Sequence, residues 1–160
     1  MSCAISDQQY HLAQATIQKI KALKVNDADS ASEQCQNICY GQQMLYLNTG
    51  DFQKAHALIP QIKQALDIHS EQINPSRKYS LGYNCLITCF ILSKYDEAHQ
   101  WLIELQHIRH LKKYEPRKDV QQFLQILQLA IFYHINSIEF AHSIIRRIER
   151  KDVPRPLVDQ

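Results

Sequence analysis

The sequence predicts an all-α fold built from helical hairpins, and two observations carry this prediction. The 160 residues include only three glycines and five prolines, while Gln, Leu, Ile and Ala are abundant, a composition that favours long helices over the many turns of a sheet. The dipeptide Ala-His also recurs every 43 residues, and its three copies are Ala55-His56, Ala98-His99 and Ala141-His142. A fixed period of this length indicates a repeated supersecondary unit.

Four predicted helices share a packing face centred on a small residue. In each, an apolar residue comes three positions before an alanine, and further apolar residues follow four and seven positions after it. These intervals lie on one side of an α-helix, where the alanine lets a neighbouring helix approach closely. The four sets are Tyr10, Ala13, Ile17 and Ile20; Phe52, Ala55, Ile59 and Ile62; Tyr95, Ala98, Leu102 and Leu105; and Ile138, Ala141, Ile145 and Ile148.

Another helix precedes each of the last three Ala-bearing helices, at residues 32–48, 76–93 and 117–135, so the unit is a hairpin. Boundary signals agree with this division. Ser30-x-x-Glu33 fits a capping box, Asn74-Pro75 places a proline in a first turn, and Gly50 is suited to ending a helix in the left-handed conformation. Pro60 lies inside a helical stretch and predicts a bend there.

One domain spanning residues 1–151 is expected, since a chain of this length can bury one continuous core. It would contain about seven helices. The first has no preceding partner, so the chain is either the C-terminal piece of a longer protein or a solenoid capped by a native N-terminal helix. The expected parts are an orphan helix at 1–25, hairpins at 30–70, 75–113 and 116–151, and an extended tail at 152–160.

The segment YLNTGDFQKAHALI resembles the tetratricopeptide (TPR) family in its aromatic-x3-Gly-Asp-aromatic-x2-Ala pattern, which is carried by Tyr46, Gly50, Asp51, Phe52 and Ala55. Later units have Ser93-Lys94 and Asn136-Ser137 in place of Gly-Asp, and the period exceeds the usual ~34 residues, so "TPR-like" describes the chain. The resemblance covers residues 33–150 and implies a right-handed α-solenoid of stacked antiparallel hairpins.

The last unit, RKDVQQFLQILQLAIFYHI, also resembles the closing repeat of large uncharacterised bacterial TPR-type proteins. The matching positions are Arg117, Asp119, Gln122 and Phe123. That group has no known activity, so this second resemblance implies architecture only.

The resemblance further implies a partner-binding groove, because TPR-like proteins hold peptides on the concave surface lined by the first helix of each hairpin. The equivalent positions here are mostly aromatic and aliphatic, which suits an amphipathic helix or a hydrophobic peptide. The predicted groove residues are Tyr40, Met44, Leu47, Tyr83, Asn84, Ile87, Phe90, Phe123, Ile126 and Tyr133.

The cysteines raise a hypothesis of another class. Cys35-x3-Cys39 and Cys85-x3-Cys89 each put two thiols on one face of a helix, and four thiolates bind zinc tetrahedrally. Against this, buried free cysteine is a good small hydrophobe, and compact CxxC pairs are missing. We therefore expect no metal and no cofactor, with a Cys-based metal-binding module as the third alternative.

The three repeat histidines, His56, His99 and His142, are expected to lie partly buried at the seams between stacked helices, hydrogen-bonded to neighbours. Packed helices are ~8–10 Å apart, whereas the ligands of one zinc lie ~2 Å from it. A metal shared by the three is therefore not expected.

Composition excludes several functions. The net charge of +2 gives no strong field for nucleic acid, and no stretch has the ~18 apolar residues that span a membrane. With no signal peptide and an odd number of cysteines, five, a cytoplasmic protein with reduced thiols is expected. Phosphate loops, nucleophile elbows and HExxH motifs are missing, so we expect no enzyme.

The predicted function is a non-catalytic protein-protein interaction or scaffold module that binds a protein or peptide partner. The alternative is a structural or regulatory C-terminal segment of a larger protein, whose groove is filled by the parent chain or by self-association, for example in a homodimer.

Overall fold

A computed structural model describes residues 7–69, 71–111 and 114–152. In these ranges every regular element is an α-helix, which confirms the all-α prediction there, and no helix is both long enough and apolar enough to cross a membrane. Apart from Asp152, the predicted tail lies outside the described residues. The helices are α1 (Asp7–Ala22), α2 (Ala28–Thr49), α3 (Phe52–Ala57), α4 (Ile59–Ile68), α5 (Pro75–Ile91), α6 (Tyr95–Leu111), α7 (Lys118–His134) and α8 (Ile138–Asp152).

The chain divides into two compact units, residues 1–115 and 116–160. In the first unit α1 packs on α2, α5 packs along α6, and α2 also contacts α3, α4 and α5. In the second unit α7 packs on α8. The single domain expected from the sequence stays a prediction.

The predicted faces centred on Ala55 and Ala98 lie in the core of the first unit. Ala55 and Ile62 on α3 and α4 are fully buried, as is Ala98 on α6, and Leu102 and Leu105 are nearly so. Alanines at these places leave room for the neighbouring helix, which explains the close packing of α5 on α6.

The predicted face is wrong for two residues of α8. Ile138 and Ile145 are exposed, whereas Ala141 and Ile144 are buried and Ile148 packs against them. The buried stripe therefore continues three and seven residues beyond Ala141. Both intervals fit one side of a helix, and the sequence pattern alone could not choose between the two adjacent isoleucines.

One turn occurs three times in the described structure. Gly50, Ser93 and Asn136 all have left-handed backbone conformations, with φ of 77°, 57° and 55°. After each, the next amide donates to a carbonyl five residues back, from residue 51 to 46, 94 to 89 and 137 to 132, each at 2.9 Å. The predicted helix end at Gly50 is thus confirmed, and α3, α6 and α8 begin two residues after these turns.

The caps of α2 and α5 show one correction. The Asp27 side chain, and not that of Ser30, caps α2, since Asp27 Oδ1 accepts the Ser30 amide at 2.8 Å. The predicted capping box is wrong because the helix begins two residues before Ser30. The predicted start of α5 is confirmed: Asn74 accepts the Ser76 amide at 2.9 Å and Pro75 occupies the first turn.

The predicted bend at Pro60 is a break between α3 and α4 at Leu58. Pro60 has no N–H to donate to the carbonyl of His56, four residues earlier, and it lies in the first turn of α4, where that loss is tolerated. The break ends α3 one residue after His56, which places this histidine at the end of a short helix.

Candidate functional site

The α2 side of the predicted groove consists of Tyr40, Met44 and Leu47, which are all half-buried. Their intervals of four and three residues put them along one face of the helix. The guanidinium of Arg77, in the first turn of α5, lies 4.3 Å from the centre of the Tyr40 ring, within cation–π range. This contact joins the face to the start of α5.

The α5 side lies against it. The Asn84 side-chain amide donates to the Met44 sulfur at 3.6 Å, and the Phe90 ring meets that of Tyr95 edge to face with 5.9 Å between centroids. The predicted residues of α5 are all half-buried, and they are Tyr83, Asn84, Ile87 and Phe90. Together with Tyr40, Met44 and Leu47 they form what we call the α2/α5 surface.

The remaining predicted groove residues lie on α7, in the second unit. Phe123 is 44% exposed, Ile126 62% and Tyr133 71%. On the adjacent α8, Ile138 is exposed, as is Phe140, whose ring stacks on Phe132. Phe123, Ile126 and Tyr133, at intervals of three and seven residues, lie on one face of α7. Together with Ile138 and Phe140 of α8 we call them the α7/α8 surface, and their side chains are more exposed than those of the α2/α5 surface.

The cysteines of α2 and α5 are free thiols, with Cys39, Cys85 and Cys89 buried and Cys35 half-buried. Burial raises the pKa of Cys39 and of Cys89 to about 12, and it raises the pKa of Cys85 as well. At neutral pH these three thiols are therefore protonated. Among the described residues, no group of three or more metal-ligand side chains with ligand atoms within 4.8 Å contains more than one of the four cysteines.

A site that the sequence did not predict lies where α3, α5 and α6 meet. His56 Nε2 is 2.8 Å from Glu97 Oε2, and Cys89 Sγ is 4.0 Å from the same oxygen. Lys94 Nζ donates to the other carboxylate oxygen, Oε1, at 3.1 Å. The hydrogen bond from His56, supported by Lys94, holds the pKa of Glu97 below its ordinary value of 4.5.

The Ala-His repeat was a partial signal for this site. It singled out His56, which is half-buried and hydrogen-bonded as expected, and His99 is half-buried too. His142 is exposed, so the expectation of partial burial is wrong there. The proximity of His56 to Cys89 and Glu97 was not predicted, because these two residues lie on two other helices and are not at any motif spacing from His56.

The basic residues near the end of α6 and the start of α7 have acidic neighbours. Arg109 donates to both carboxylate oxygens of Glu115, at 3.2 and 3.3 Å, and Arg117 pairs with Asp119. Exposed pairs of this kind add little stability, but they reduce the positive charge offered to a phosphate. That nucleic acid is not a partner stays a prediction.

Comparison of the chain with protein-family models, with curated proteins and with solved structures finds no match. Function is therefore inferred from the two apolar surfaces and from the cluster at Glu97.

Proposed function

We propose that this protein is a non-catalytic interaction module, a TPR-like right-handed α-solenoid that holds an amphipathic helix or a hydrophobic peptide on the α2/α5 surface. The observation that carries the proposal is the contact of Asn84 with Met44, because it brings half-buried apolar residues of two successive hairpins side by side. Apolar area removed from water contributes ~25 cal/mol per Å², and an apolar helix face is a matching occupant.

The recurring turn supports the solenoid arrangement. Left-handed residues at 50, 93 and 136 precede helices whose buried alanines are Ala55, Ala98 and Ala141, all at the 43-residue spacing of the sequence. One unit repeated with the same turn and the same packing residue is the basis of a solenoid, in which each unit contacts its neighbours.

The partner's chemistry follows from the rim of the surface. The Arg77 guanidinium lies over Tyr40 at one end, and at the other end Phe90 meets Tyr95. We expect a peptide with apolar residues at helical spacing and an acidic side chain near Arg77, since arginine binds carboxylates through paired N–H groups.

The protonation state of Cys89 argues against nucleophilic catalysis by this thiol at the cluster of His56, Cys89 and Glu97. The one thiol there, Cys89, is buried and its pKa is raised to about 12, so it offers no thiolate nucleophile at neutral pH.

The second candidate function is that of a structural or regulatory segment whose apolar residues are covered by a second copy or by a larger parent protein. The α7/α8 surface favours it, because Ile126, Tyr133 and Phe140 are each more than 60% exposed. Clustered exposed apolar side chains commonly mark an interaction surface.

A pull-down with matched variants tests the first proposal. The double variant Met44→Glu and Ile87→Lys places charges on the α2/α5 surface. The control, Ile68→Glu and Ile103→Lys, introduces the same two charges at exposed positions of α4 and α6. We expect the parent and the control to retain the same partner from a cell lysate and the surface variant to lose it.

Circular dichroism must first show equal helicity for the three proteins. Capture of the same proteins by all three would overturn binding at the α2/α5 surface. A dimer in light scattering that Ile126→Lys with Tyr133→Lys converts to a monomer would support the second candidate.

A further inference from the structure

The cluster at Glu97 combines three ligand types from three helices. The imidazole of His56 comes from α3, the thiol of Cys89 from α5 and the carboxylate of Glu97 from α6, and their ligand atoms all lie within 4.8 Å of one another. Cys89 is fully buried, whereas His56 is half-buried and Glu97 exposed. The site therefore has a buried sulfur at its base and an opening towards solvent.

The repeat does not require these residues. At the positions 43 residues before and after Cys89 the sequence has Tyr46 and Phe132, and at those around Glu97 it has Lys54 and Phe140. Thiol and carboxylate thus occur together in one unit only, beside a histidine that the other units share. The equivalents of Cys89 are larger aromatic residues, so core packing does not require a thiol at this position.

Two of the three separations between the ligand atoms are near those of a tetrahedral metal centre. Bonds of ~2.3 Å to sulfur and ~2.0–2.2 Å to nitrogen and oxygen put neighbouring ligand atoms about 3.3 to 3.6 Å apart. The observed separations are 2.8 Å for His56 Nε2 to Glu97 Oε2 and 4.0 Å for Cys89 Sγ to that oxygen. Rotations that change these two separations by about half an ångström reach this geometry, and the third separation, from His56 to Cys89 Sγ, is within 4.8 Å.

Lys94 binds one oxygen of the Glu97 carboxylate and leaves the other, Oε2, free to face His56 and Cys89. Its ammonium donates to Glu97 Oε1, while Oε2 points to His56 and Cys89. Outer partners of this kind orient ligating carboxylates in metal sites. Because Lys94 binds the oxygen away from the cluster, it need not move when a cation replaces the hydrogen bond between His56 and Glu97.

We propose that His56, Cys89 and Glu97 bind one divalent transition-metal ion, zinc by preference, with water from the open side as the fourth ligand. A thiolate and an imidazole select zinc or cobalt over magnesium and calcium, which prefer oxygen ligands. Binding forms a metal–sulfur bond and releases the Cys89 thiol proton to solvent, and His56 coordinates as the neutral tautomer with its proton on Nδ1. The ion ties α3, α5 and α6 together, and this role is independent of a partner on the α2/α5 surface.

Cobalt titration of the full chain, purified with chelator and then freed of it, tests the site. Cobalt in a tetrahedral site with a thiolate gives intense visible bands and a sulfur-to-metal charge-transfer band in the near ultraviolet. We expect both at one equivalent, and their loss when zinc is added. Cys89→Ser should abolish the charge-transfer band, and His56→Gln and Glu97→Gln should weaken binding by more than about tenfold.

Matched controls separate this site from the other cysteines and histidines. Cys39→Ser and His99→Gln each change a residue of the same type outside the cluster, and both should bind cobalt as the parent does. Glu97→Gln alters an exposed side chain, so it keeps the test valid if Cys89→Ser fails to fold. The proposal is overturned if the folded parent gives no charge-transfer band, if the band survives in folded Cys89→Ser, or if Glu97→Gln binds cobalt as tightly as the parent does.

Discussion

The buried Gln43 shows how a single residue of α2 fixes its alignment with α5. Its side-chain amide donates to the Leu81 carbonyl at 3.4 Å and to Cys85 Sγ at 3.2 Å, and its Oε1 has no hydrogen-bond partner among the described residues. A buried unpaired acceptor costs ~1–3 kcal/mol. The two donated bonds hold the helices in the register that brings Met44 against Asn84.

At Asp27 a single carboxylate links helix capping to pH. Hydrogen bonds from Ser30 hold the pKa of Asp27 below its ordinary value of 3.8. A lowered pKa in the folded state means that the carboxylate stabilises the protein above pH 3.8 and that this contribution is lost as the pH falls through the folded-state pKa. We expect Asp27→Asn to keep the cap but to flatten this part of the pH dependence, and Asp27→Ala to lose the cap at every pH.

Urea unfolding of the parent and the two variants between pH 2.5 and 6 measures how the free energy of unfolding depends on pH. If this free energy falls equally with pH in the parent and in Asp27→Asn across the acid range, the role given to the Asp27 carboxylate is contradicted.

The roles of single residues were predictable from the sequence only where they depend on neighbouring residues in the chain. The start of α5, with Pro75 in its first turn, depends on one short segment and was predicted correctly. His56, Cys89 and Glu97 are separated by 33 and 8 residues and meet only because three helices pack together. A pattern search finds ligands at fixed spacings, so it could not bring these three together.

At the scale of elements, the turns before α3, α6 and α8 have the same backbone but different residues. Gly50 adopts the left-handed conformation without strain, whereas this conformation costs ordinary residues ~1–2 kcal/mol and asparagine less. Ser93 is therefore the most strained of the three. Its weak, exposed hydrogen bond from Tyr95, at 3.4 Å, offsets little of this cost.

We expect Ser93→Gly to raise the free energy of unfolding by ~0.5–1 kcal/mol, because glycine removes the strain although it adds flexibility to the unfolded chain. Asn136→Gly should raise the free energy of unfolding by less, because asparagine is less strained than serine in this conformation. Gly50→Ala should lose ~1 kcal/mol, and this loss would be conformational, since no atom lies within 4 Å of an added Cβ. Urea unfolding measures all three, and a loss of stability in Ser93→Gly would contradict the account of the turn.

The boundaries of α5 and α7 were predictable to within two residues, because helix caps and apolar periodicity depend on residues that are close together in the chain. The helix predicted at 76–93 spans Pro75–Ile91, and the one predicted at 117–135 spans Lys118–His134. The buried face of α8 was less predictable, since Ile144 and Ile145 are both apolar and only packing against α7 selects Ile144.

At the scale of the whole molecule, the sequence predicted helices and their faces better than the contacts between them. Ten groove residues were predicted, and seven of them lie on the contacting helices α2 and α5. Phe123, Ile126 and Tyr133 belong to the other compact unit, and their exposure reflects what packs on α7. Such packing depends on residues far apart in the chain, which a repeat pattern does not specify.

Site-specific photo-cross-linking in cells tests the central claim, that a partner occupies the α2/α5 surface, most directly. A benzophenone amino acid replaces Ile87 on that surface or, as a control, Ile103, which is 48% exposed on α6. We predict a discrete adduct from position 87 that is missing from position 103 and is lost when Met44→Glu is added. The same adducts from both positions, or an adduct from 87 that Met44→Glu leaves unchanged, would contradict the claim.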